Sequence, residues 1–485
     1  MHQDFEQCLR AVQAKDARFD GWFFSAVLTT GIYCRPSCPA VPPKRKNITF
    51  HPTAASAQAA GFRACKRCRP DASPGSPEWD LRSDLVARAV RLIADGTVDR
   101  EGVPGLSQRL GYSRRQLERL LFSELGAGPL GLARAQRAQT ARLLIETTGL
   151  ALAEVAFAAG FGSVRQFNDT VRDVFATTPG ELRARSTSLV PQAKGIVNVR
   201  LPFRQPLHPD NLFGHLVATA VPGVEEWRDG AYRRTVRLPH GHGIVALRPM
   251  PEHVHCTLEL QDLRDLSATI ARCRRLLDLD ADPVAVDARL STDPYLAPLI
   301  AKAPGRRVPR TVDEPEMALR AVLGQQVSTA AARTHAARLV VALGEPVDDP
   351  TLTHLFPSPE AVADAADHLA MPTARKETVL RLARALAEGD INLDPGVDRG
   401  RARAQLSALK GIGPWTVETI AMRALGDPDA FLPTDLGVSR LAGALGLGKD
   451  LEAHAERWRP WRAYAVQHLW ALGDHPVNSL PGGTS

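Results

Sequence analysis

Four cysteines near the start of this 485-residue chain stand at spacings that can hold a metal ion. Cys34 and Cys38 form a C-x3-C pair, and Cys65 and Cys68 form a C-x2-C pair after 26 intervening residues. Each pair turns tightly enough to place two sulfurs on one ion, and the stretch between the pairs closes a small fold. A domain of about 70 residues has a small core and gains from such a staple. The spacing therefore predicts a zinc site made of four thiolates.

The spacing leaves two functions open for this zinc site. An ion bound by four thiolates keeps a net negative charge, so an exposed sulfur of the set would be a strong nucleophile. The alternative is an inert structural zinc. The other three cysteines have no close partner in the sequence, and we interpret Cys8, Cys256 and Cys273 as buried or unrelated thiols.

The residues around the four cysteines resemble the N-terminal domain of the Ada family of bacterial adaptive-response regulators. The similarity covers residues 1–72 and rests on TTGIYCRPSCPA and FHPTAASAQAAGFRACKRC. It implies that Cys34 is a zinc ligand and also accepts a methyl group from a methyl phosphotriester in DNA. It further implies that Cys38, Cys65 and Cys68 complete the zinc site. The reaction would be stoichiometric, because the methylated cysteine is not regenerated. The thioether that forms is neutral, so the zinc site would repel DNA phosphates less and methylation would switch the protein to stronger DNA binding.

A helix-turn-helix pattern begins at Leu106. Leu106 and Leu110 share one face of a short helix, Gly111 provides the turn, and Ser113 can cap the next helix. Base and phosphate contacts usually come from the start of the second helix, which here is formed by Arg114, Arg115 and Gln116.

A second copy of this pattern starts 46 residues later, at Leu152, with a turn at Gly160 and a cap at Ser163. Its exposed residues are predicted to be Arg165, Gln166 and Asn168. A long helix near residues 132–147 is predicted to join the two copies. An ordinary helical bundle with a basic surface is the alternative for either copy alone. The pair, together with GFGSVRQFNDTVRDVFATTPGELR, resembles the AraC-type DNA-binding domain.

A G-I-G motif near residue 411 lies between two helical stretches. Gly411 and Gly413 allow a hairpin whose backbone N–H groups face a DNA phosphate, and we expect Thr416 to contact DNA as well. Many helix turns contain such a motif, so the motif alone is weak evidence. The candidate ligands for a monovalent cation at this hairpin are the carbonyl groups of Ser407, Leu409 and Ile412.

Residues 195–475 resemble the AlkA family, which are 3-methyladenine DNA glycosylases of the helix-hairpin-helix superfamily. The motifs are RAVLGQQVS, GIGPWT, FLPTD and AERWRPWRAYAVQHLW. The resemblance implies that Asp435 is the carboxylate that stabilises an oxocarbenium-like sugar or orients water. It implies that Trp415 and Trp470 line an aromatic pocket that selects electron-poor alkylated bases. The structural alternatives are a helix N-cap for Asp435 and core packing for the two tryptophans.

The sequence departs from the patterns of both families at several positions. Gln326 stands where AlkA-like proteins carry a bulky apolar wedge, so its role as the wedge is an open prediction. Thr419 replaces a pocket tyrosine, which leaves the range of bases open. Trp415 occupies the position of the lysine that backbone-cleaving relatives use, so we expect no lyase activity. The sequence has no PCHR motif and no cysteine after Cys273, so we expect neither O6-methylguanine repair nor an iron–sulfur cluster.

Composition places the chain among globular proteins that can bind nucleic acid. The formal charge is +7, and the excess of Lys and Arg lies in the first 187 residues. The N-terminus has no apolar signal region and the sequence has no run of 18 apolar residues, so a cytoplasmic location is predicted. An odd number of cysteines, seven, favours a reducing compartment.

Pro- and Gly-rich stretches divide the chain into four predicted domains. Linkers are predicted at residues 71–79 and 185–195, with a third joint at residues 302–315 and a disordered tail from residue 478. The mixed third domain is predicted to contain strands in LVATAVPG, YRRTVRL, GIVALRPM and VHCTLEL, followed by a helix in DLSATIARCRRLLDL. The predicted domains are a zinc-stapled α/β domain (1–72), an all-α AraC-type domain (80–187), an α+β domain like the AlkA N-terminus (195–302) and an all-α helix-hairpin-helix glycosylase domain (303–478).

Together these features predict a fusion that senses and repairs alkylated DNA. The expected partners are double-stranded DNA and RNA polymerase, with no membrane association and a monomeric chain near the nucleoid. The competing hypothesis is a zinc-stapled transcription factor whose C-terminal half is no longer catalytic.

Overall fold

The computed structural model describes residues 4–70, 85–185, 196–369, 371–447 and 450–480. The chain forms two compact units. The first comprises Met1–Arg204, Leu238–Gly241 and Glu252–Ala271, and the second comprises Gln205–Arg237, His242–Pro251 and Arg272–Ser485. The predicted linker at 71–79 lies outside the described residues, as do residues 186–195 of the predicted linker 185–195 and residues 481–485 of the predicted tail. Over the described ranges, no helix has the length and apolar character to cross a membrane.

The first unit begins with a small α/β fold. Its elements are α1 (Phe5–Gln13), β1 (Phe24–Val27), β2 (Ile32–Cys34), β3 (Ile48–His51), α2 (Ala54–Ala59) and β4 (Arg63–Ala64). The sheet order is β3-β1-β2-β4, with β2 antiparallel to β1 and parallel to β4. Tyr33 pairs with Ala64, so Cys34 at the end of β2 lies beside Cys65, the residue that follows β4. The register of this sheet thus brings the two cysteine pairs together.

Seven helices follow in the described residues 85–185 of the first unit. They are α3 (Leu85–Ala94), α4 (Thr97–Leu110), α5 (Arg114–Leu125), α6 (Pro129–Thr147), α7 (Leu152–Ala158), α8 (Val164–Phe175) and α9 (Pro179–Ala184). Gly111 ends α4 with φ +73°, and the Ser113 hydroxyl caps α5. Gly160 has φ +85° and Ser163 caps α8, so the turn and cap residues predicted for both copies are confirmed. The joining helix α6 starts three residues before its predicted start.

Residues 196–302 contain strands and helices, as predicted. The elements are β5 (Ile196–Pro202), α10 (Pro209–Ala218), β6 (Glu225–Arg228), β7 (Ala231–Leu238), β8 (Gly241–Pro249), β9 (His253–Leu260), α11 (Leu266–Leu276), α12 (Pro283–Leu290) and α13 (Ala297–Lys302). In the first unit β5 pairs antiparallel with β9, and in the second unit β6 pairs antiparallel with β7.

The strand predicted in LVATAVPG is wrong, because its first residues belong to α10. Pro209 occupies the first turn of this helix, where its fixed φ is favourable. Leu212, Phe213 and Leu216 then follow at helical spacing and are buried. Burial of this face outweighs the strand propensity of the valine that follows. The strands β5 and β6 were not predicted.

The remainder of the second unit is helical, as predicted. Its helices are α14 (Glu314–Leu323), α15 (Thr329–Leu343), α16 (Pro359–Ala363), α17 (Thr373–Ala387), α18 (Arg399–Ser407), α19 (Pro414–Arg423), α20 (Leu436–Ala444), α21 (Leu451–Ala455) and α22 (Arg462–Trp470). A single apolar core includes Val322, Leu339, Val379 and Ile420. This core fixes α14 and α19, whose ends carry candidate site residues.

A buried network of charged side chains also holds α14. Arg320 donates to Glu225 at 2.9 Å, to Glu316 at 2.7 Å and to the carbonyl of Thr219 at 2.7 Å. Arg234 donates to Glu316 at 2.6 Å. Because every charge in this network has a partner of opposite sign, the network can be buried and fixes the helix in one position.

Candidate zinc centre, DNA-binding helices and glycosylase site

The four predicted zinc ligands converge. The Sγ atoms of Cys34, Cys38, Cys65 and Cys68 all lie within 4.8 Å of one another, and each cysteine is at most 9% exposed. Tetrahedral zinc, with Zn–S bonds of about 2.3 Å, places its sulfurs about 3.8 Å apart. Four soft sulfur donors in one buried cluster therefore fit a structural-type zinc ion.

Hydrogen bonds within the cluster divide the four thiols into groups of raised and lowered pKa. Bonds from the other three cysteines lower the pKa of Cys65, and a bond from Cys34 lowers the pKa of Cys38 to about 7. The same bonds, together with burial, raise the pKa of Cys34. A bound dication would favour four thiolates instead, so metal binding at this cluster must release protons.

A buried carboxylate holds the loop between Cys34 and Cys38. Asp20 accepts hydrogen bonds from the Ser37 N–H at 3.0 Å and from the Ser37 hydroxyl at 2.6 Å, and it lies 3.4 Å from Arg35. Burial raises the pKa of Asp20. Sequence reasoning missed this residue, because nothing in its own neighbourhood in the sequence indicates a partner 17 residues away.

The zinc fold packs on the helices of the same unit. The Thr53 hydroxyl donates to the carbonyl of Leu125 at 3.1 Å, and Arg69 forms an ion pair with Glu146 of α6. Ala55, Ala127 and Ala135 form a small apolar cluster between the two folds. Cys34 therefore lies in a fold that is directly docked onto the paired helix-turn-helix.

The two predicted recognition helices, α5 and α8, carry exposed arginines. Arg165 is almost fully exposed, and Arg115 is exposed at the start of α5. Arg114 is exposed too, but pairs with Glu118 one turn later at 3.0 Å. Asn168 is half-buried on α8. The arginines therefore present positive charge at the start of each helix, where DNA contacts are expected.

The two predicted DNA-contacting glutamines have structural roles. The side-chain oxygen of Gln116 accepts from the Ser113 N–H at 3.2 Å, and that of Gln166 accepts from the Gly162 N–H at 3.2 Å. Both glutamines thus satisfy backbone donors just before their helices. Both glutamines are exposed.

In the second unit, Asp435 lies between the two predicted pocket tryptophans. One oxygen, Oδ2, accepts from the Trp415 indole N–H at 2.9 Å. The other, Oδ1, accepts from the Trp470 indole N–H at 3.0 Å and from the Val438 N–H at 2.9 Å. Asp435 is therefore the N-cap of α20, as the structural alternative predicts, and it also accepts both indole N–H groups. The cap uses Oδ1, so the N-cap position is compatible with the predicted catalytic role. Both indoles are half-buried and reach the surface.

Gly437 leaves room for this arrangement. A Cβ atom at position 437 would lie 3.1 Å from Asp435 Oδ1 and 3.3 Å from the Trp470 ring. Contacts this close would move the carboxylate or the indole. Sequence reasoning missed Gly437, although a glycine two residues after the candidate carboxylate was a signal.

The predicted hairpin forms at residues 411–413. Gly411 has φ +95°, and a Cβ atom there would overlap the Thr378 side chain, so this position requires glycine. Gly413 precedes α19 and is exposed, with open space around the position of a Cβ atom. No hydrogen bond among the described residues uses the N–H of either glycine. Those two donors are therefore available to a phosphate at the start of a helix.

Thr416 lies behind the hairpin and not on its exposed face. It is 2% exposed, and its hydroxyl accepts from the Gln325 amide at 2.8 Å. Gln325 also donates to the carbonyl of Gly411 at 3.1 Å. The physical reason is helical geometry, since two residues after Pro414 the helix turns its side chain inward. Gln325, which sequence reasoning missed, is the residue that joins the hairpin to the α14–α15 turn.

The predicted wedge residue is exposed in that same turn. Gln326 has φ +56°, which is uncommon for a residue other than glycine, and its side chain is exposed to solvent. Thr419 lies on α19 one turn after Trp415, and its hydroxyl donates to the Trp415 carbonyl at 2.7 Å. Thr419 thus lies one helical turn from Trp415, and the hydrogen bonds of the described residues join neither Thr419 nor Gln326 to Asp435.

Three family models match parts of the sequence. The metal binding domain of Ada matches residues 7–71, a helix-turn-helix domain matches residues 106–185, and the AlkA N-terminal domain matches residues 198–313. These matches agree with the zinc fold, the paired helix-turn-helix and the mixed region of the structure.

Some curated relatives match the whole chain, and others match only a part of it. A probable bifunctional transcriptional activator/DNA repair enzyme AlkA from Mycobacterium tuberculosis is 62% identical, and the match covers 99% of both chains. The DNA-3-methyladenine glycosylase 2 of Escherichia coli is 34% identical over 53% of this chain and 92% of its own length. The bifunctional transcriptional activator/DNA repair enzyme Ada of Escherichia coli is 37% identical over 28% of this chain and 37% of its own length.

Proposed function

The chain belongs to the family of bifunctional transcriptional activators and DNA repair enzymes that join an Ada-type part to an AlkA-type part, and from this we propose that it performs two reactions on alkylated DNA. Asp435 promotes hydrolysis of the N-glycosidic bond of alkylated purines such as 3-methyladenine and 7-methylguanine. Cys34 accepts a methyl group from a methyl phosphotriester. The observation that carries the first assignment is the double hydrogen bond from Trp415 and Trp470 to one carboxylate.

The glycosylase reaction follows from this geometry. As the bond between the sugar and the alkylated base breaks, positive charge develops on the sugar, and the fixed carboxylate of Asp435 stabilises that charge. Water adds to the sugar carbon, and the base leaves with the electron pair of the broken bond. Because both carboxylate oxygens are already oriented by indole and backbone N–H groups, little reorganisation is needed when charge appears.

The two tryptophans also explain how the substrate is selected. A base flipped out of the duplex would meet two aromatic side chains that flank the carboxylate. Alkylated purines are positively charged in DNA, so they are attracted to an indole face and leave without a strong general acid. With Trp415 in place of a hairpin lysine, the reaction ends at the abasic site without strand cleavage.

The methyl transfer belongs to the zinc cluster. A zinc ion bound at this cluster would keep its sulfur ligands deprotonated. The residues that would hold it are Cys34, Cys38, Cys65 and Cys68. The Cys34 sulfur attacks the methyl carbon of the phosphotriester, the new S–C bond forms as the C–O bond breaks, and the phosphodiester leaves as an anion. The Cys34 thioether is neutral, so one negative charge is lost from the cluster and repulsion from DNA phosphates falls.

This loss of charge turns methyl transfer into a signal. The zinc fold is docked on the helical domain that carries Arg115 and Arg165. Stronger contact of the zinc fold with DNA therefore favours DNA contact by these helices. The proposal includes transcriptional activation through promoter binding by α5 and α8, with RNA polymerase as partner. A monomeric state, a nucleoid-associated cytoplasmic location and a monovalent cation held by Ser407, Leu409 and Ile412 remain predictions.

The proposed domain boundaries are those of the sequence analysis. The methyl acceptor lies in residues 1–72 and the DNA-binding domain in 80–187. An α+β domain spans 195–302, and the glycosylase domain spans 303–478. The proposed boundary between the last two falls in the loop between α13 and α14. The residues of the α+β domain are divided between the two compact units, whereas those of the glycosylase domain all belong to the second.

The test is release of free bases from methylated duplex DNA by the full-length chain, with the bases identified by chromatography. We expect 3-methyladenine and 7-methylguanine in the released fraction. In parallel, DNA with radiolabelled methyl phosphotriesters should transfer label to Cys34. Label transfer without base release would instead support a damage-responsive transcription factor with a degenerate glycosylase half, the reading that the polar Gln326 favours.

A further inference from the structure

Arg423, the last residue of α19, lies against one of the two pocket tryptophans. Its guanidinium carbon is 5.6 Å from the centre of the Trp470 ring, within the range of a cation–π contact. One N–H group, at Nη1, donates to the carbonyl of Pro309 at 2.7 Å. The side chain is only 5% exposed. Arg423 is therefore a buried cation fixed against the indole that holds Asp435.

The charge of Arg423 is not neutralised by an acidic partner. Among the described residues, no carboxylate forms an ion pair with it. Burial lowers the pKa of Arg423 to about 9, which still leaves the guanidinium charged at neutral pH. The neighbouring His215 has a pKa well below its usual range, because of burial and because Arg423 is positive. The cation thus acts electrostatically on the groups around it.

The two faces of the Trp470 ring have different surroundings. Arg423 is 5% exposed while Trp470 is partly exposed, so the solvent-exposed part of the ring is not the part that the guanidinium approaches. The edge of the ring donates to Asp435. A base that stacks on this tryptophan must therefore use the outer face, opposite the arginine.

We propose that Arg423 sets the preference of the glycosylase for charged over neutral bases by acting through the Trp470 ring. A cation on the inner face draws electron density toward itself and weakens the attraction of the outer face for a cationic base. Stacking of a neutral base depends less on that density. Arg423 is thus a positioning residue that acts through Trp470. Its charge reduces the ratio between the excision rate of cationic, alkylated purines and that of neutral purines. This inference rests on the proposed glycosylase function.

The first test compares base release by full-length Arg423→Met and Arg423→Lys. The substrates are duplexes with one 7-methylguanine, which is cationic, or one hypoxanthine, which is neutral. For Arg423→Met we expect the ratio of the two excision rates to rise about two- to five-fold in favour of the cationic base. Arg423→Lys keeps a positive charge and should stay close to the wild-type ratio of excision rates.

A matched arginine separates this effect from simple destabilisation. Arg399 is also 5% exposed and also donates to backbone carbonyls, those of Leu425 and Gly426. Arg399→Met removes a comparable buried cation that does not contact Trp470. It should lower the melting temperature but leave the ratio of excision rates as in the wild type.

A second readout does not depend on catalysis. In an Asp435→Asn background, the affinity for a duplex with one 7-methylguanine is divided by the affinity for the same duplex with guanine. Adding Arg423→Met should raise this quotient about two- to five-fold. A quotient that is unchanged, or equal to one in both proteins, would overturn the role of Arg423. Absence of base release by the wild type would overturn the proposed function alone.

Discussion

Trp470 donates its indole N–H to Asp435 at 3.0 Å, although the two residues are 35 positions apart in the chain. The bond fixes the plane of an aromatic wall and the orientation of a carboxylate at the same time. In the reaction proposed above, it would link recognition of a flipped base to stabilisation of the sugar from which that base departs.

Replacing Asp435 by Asn tests the carboxylate directly. The amide removes the negative charge and turns a donor toward one of the indole N–H groups, so we expect base release to fall by about 100-fold or more. DNA affinity should persist, as measured by fluorescence anisotropy. Asp398 supplies the control, because it caps α18 by accepting from Arg401 at 2.8 Å but lies outside the site. If Asp398→Asn lowers base release as much, capping and not catalysis is the role of Asp435.

Gly437→Ala tests the fit of the site without changing any charged group. The new methyl group would meet Asp435 and Trp470, so we expect excision to fall by about ten-fold through misplacement of these groups. Gly443 lies in the same helix, and a Cβ atom there meets nothing within 4 Å. Gly443→Ala should therefore keep full activity and gain up to about 1 kcal/mol of unfolding free energy from helix propensity. Equal activity of the two variants would contradict the tight fit.

The two hairpin glycines should respond differently to alanine. Gly411→Ala places a side chain at positive φ and against Thr378, and should cost about 1–3 kcal/mol of unfolding free energy. Gly413→Ala meets open space, so stability should be kept. Its methyl group would nonetheless stand where a phosphate approaches, and DNA affinity should fall several-fold. Urea unfolding and DNA titration separate the two effects. Normal DNA binding by Gly413→Ala would place the phosphate elsewhere.

The zinc cluster yields a prediction about metal content. Purified protein should contain one zinc per chain, and Cys38→Ala should lose it, because three thiolates bind zinc less firmly than four. Cys8→Ala is the control, since Cys8 is buried away from the cluster and this variant should keep the zinc.

Cys34→Ala should abolish methyl uptake and damage-dependent promoter binding while base excision continues. Methyl uptake by Cys34→Ala would identify another acceptor.

The pH dependence of stability should carry the signature of His468. Burial lowers its pKa to about 3, whereas an unfolded histidine titrates near about 6.5. The unfolded state thus binds a proton first as pH falls, so stability is fully present above about 6.5 and is lost as pH falls toward about 3. We expect His468→Leu to remove this loss, which amounts to about 1.4 kcal/mol per pH unit. Urea unfolding at several pH values measures it, with exposed His368→Leu as the control. Parallel curves for wild type and His468→Leu would contradict the assignment.

Features that depend on neighbours in the chain could be predicted from the sequence. The spacing of the cysteines, the caps Ser113 and Ser163, and the turns at Gly111 and Gly160 are all local, and the structure has them as expected. Resemblance to the AlkA family supplied Asp435, Trp415 and Trp470 as members of one site, and the structure adds the hydrogen bonds between them. These local and inherited features were sufficient to define the fold class.

The contacts that tune the sites could not be predicted in this way. Gln325 reaches Thr416 across 91 residues and Asp20 reaches Ser37 across 17, and neither pair has a sequence pattern of its own. Thr416 was expected on the DNA side because it follows the hairpin, but helix packing turns it inward. Such side-chain positions are decided by tertiary packing, which a single sequence does not encode in any short stretch.

The hydrogen bonds from Trp415 and Trp470 to Asp435 also constrain how this enzyme can evolve. With the proposed roles, exchanging either tryptophan to admit a new lesion would also free one oxygen of the Asp435 carboxylate, so substrate specificity and excision rate would change together at those positions. Thr419 is different, because its hydroxyl bonds only backward to its own helix at the Trp415 carbonyl. Lineages that repair a changing spectrum of alkylated bases should therefore diversify at position 419 while both tryptophans stay fixed.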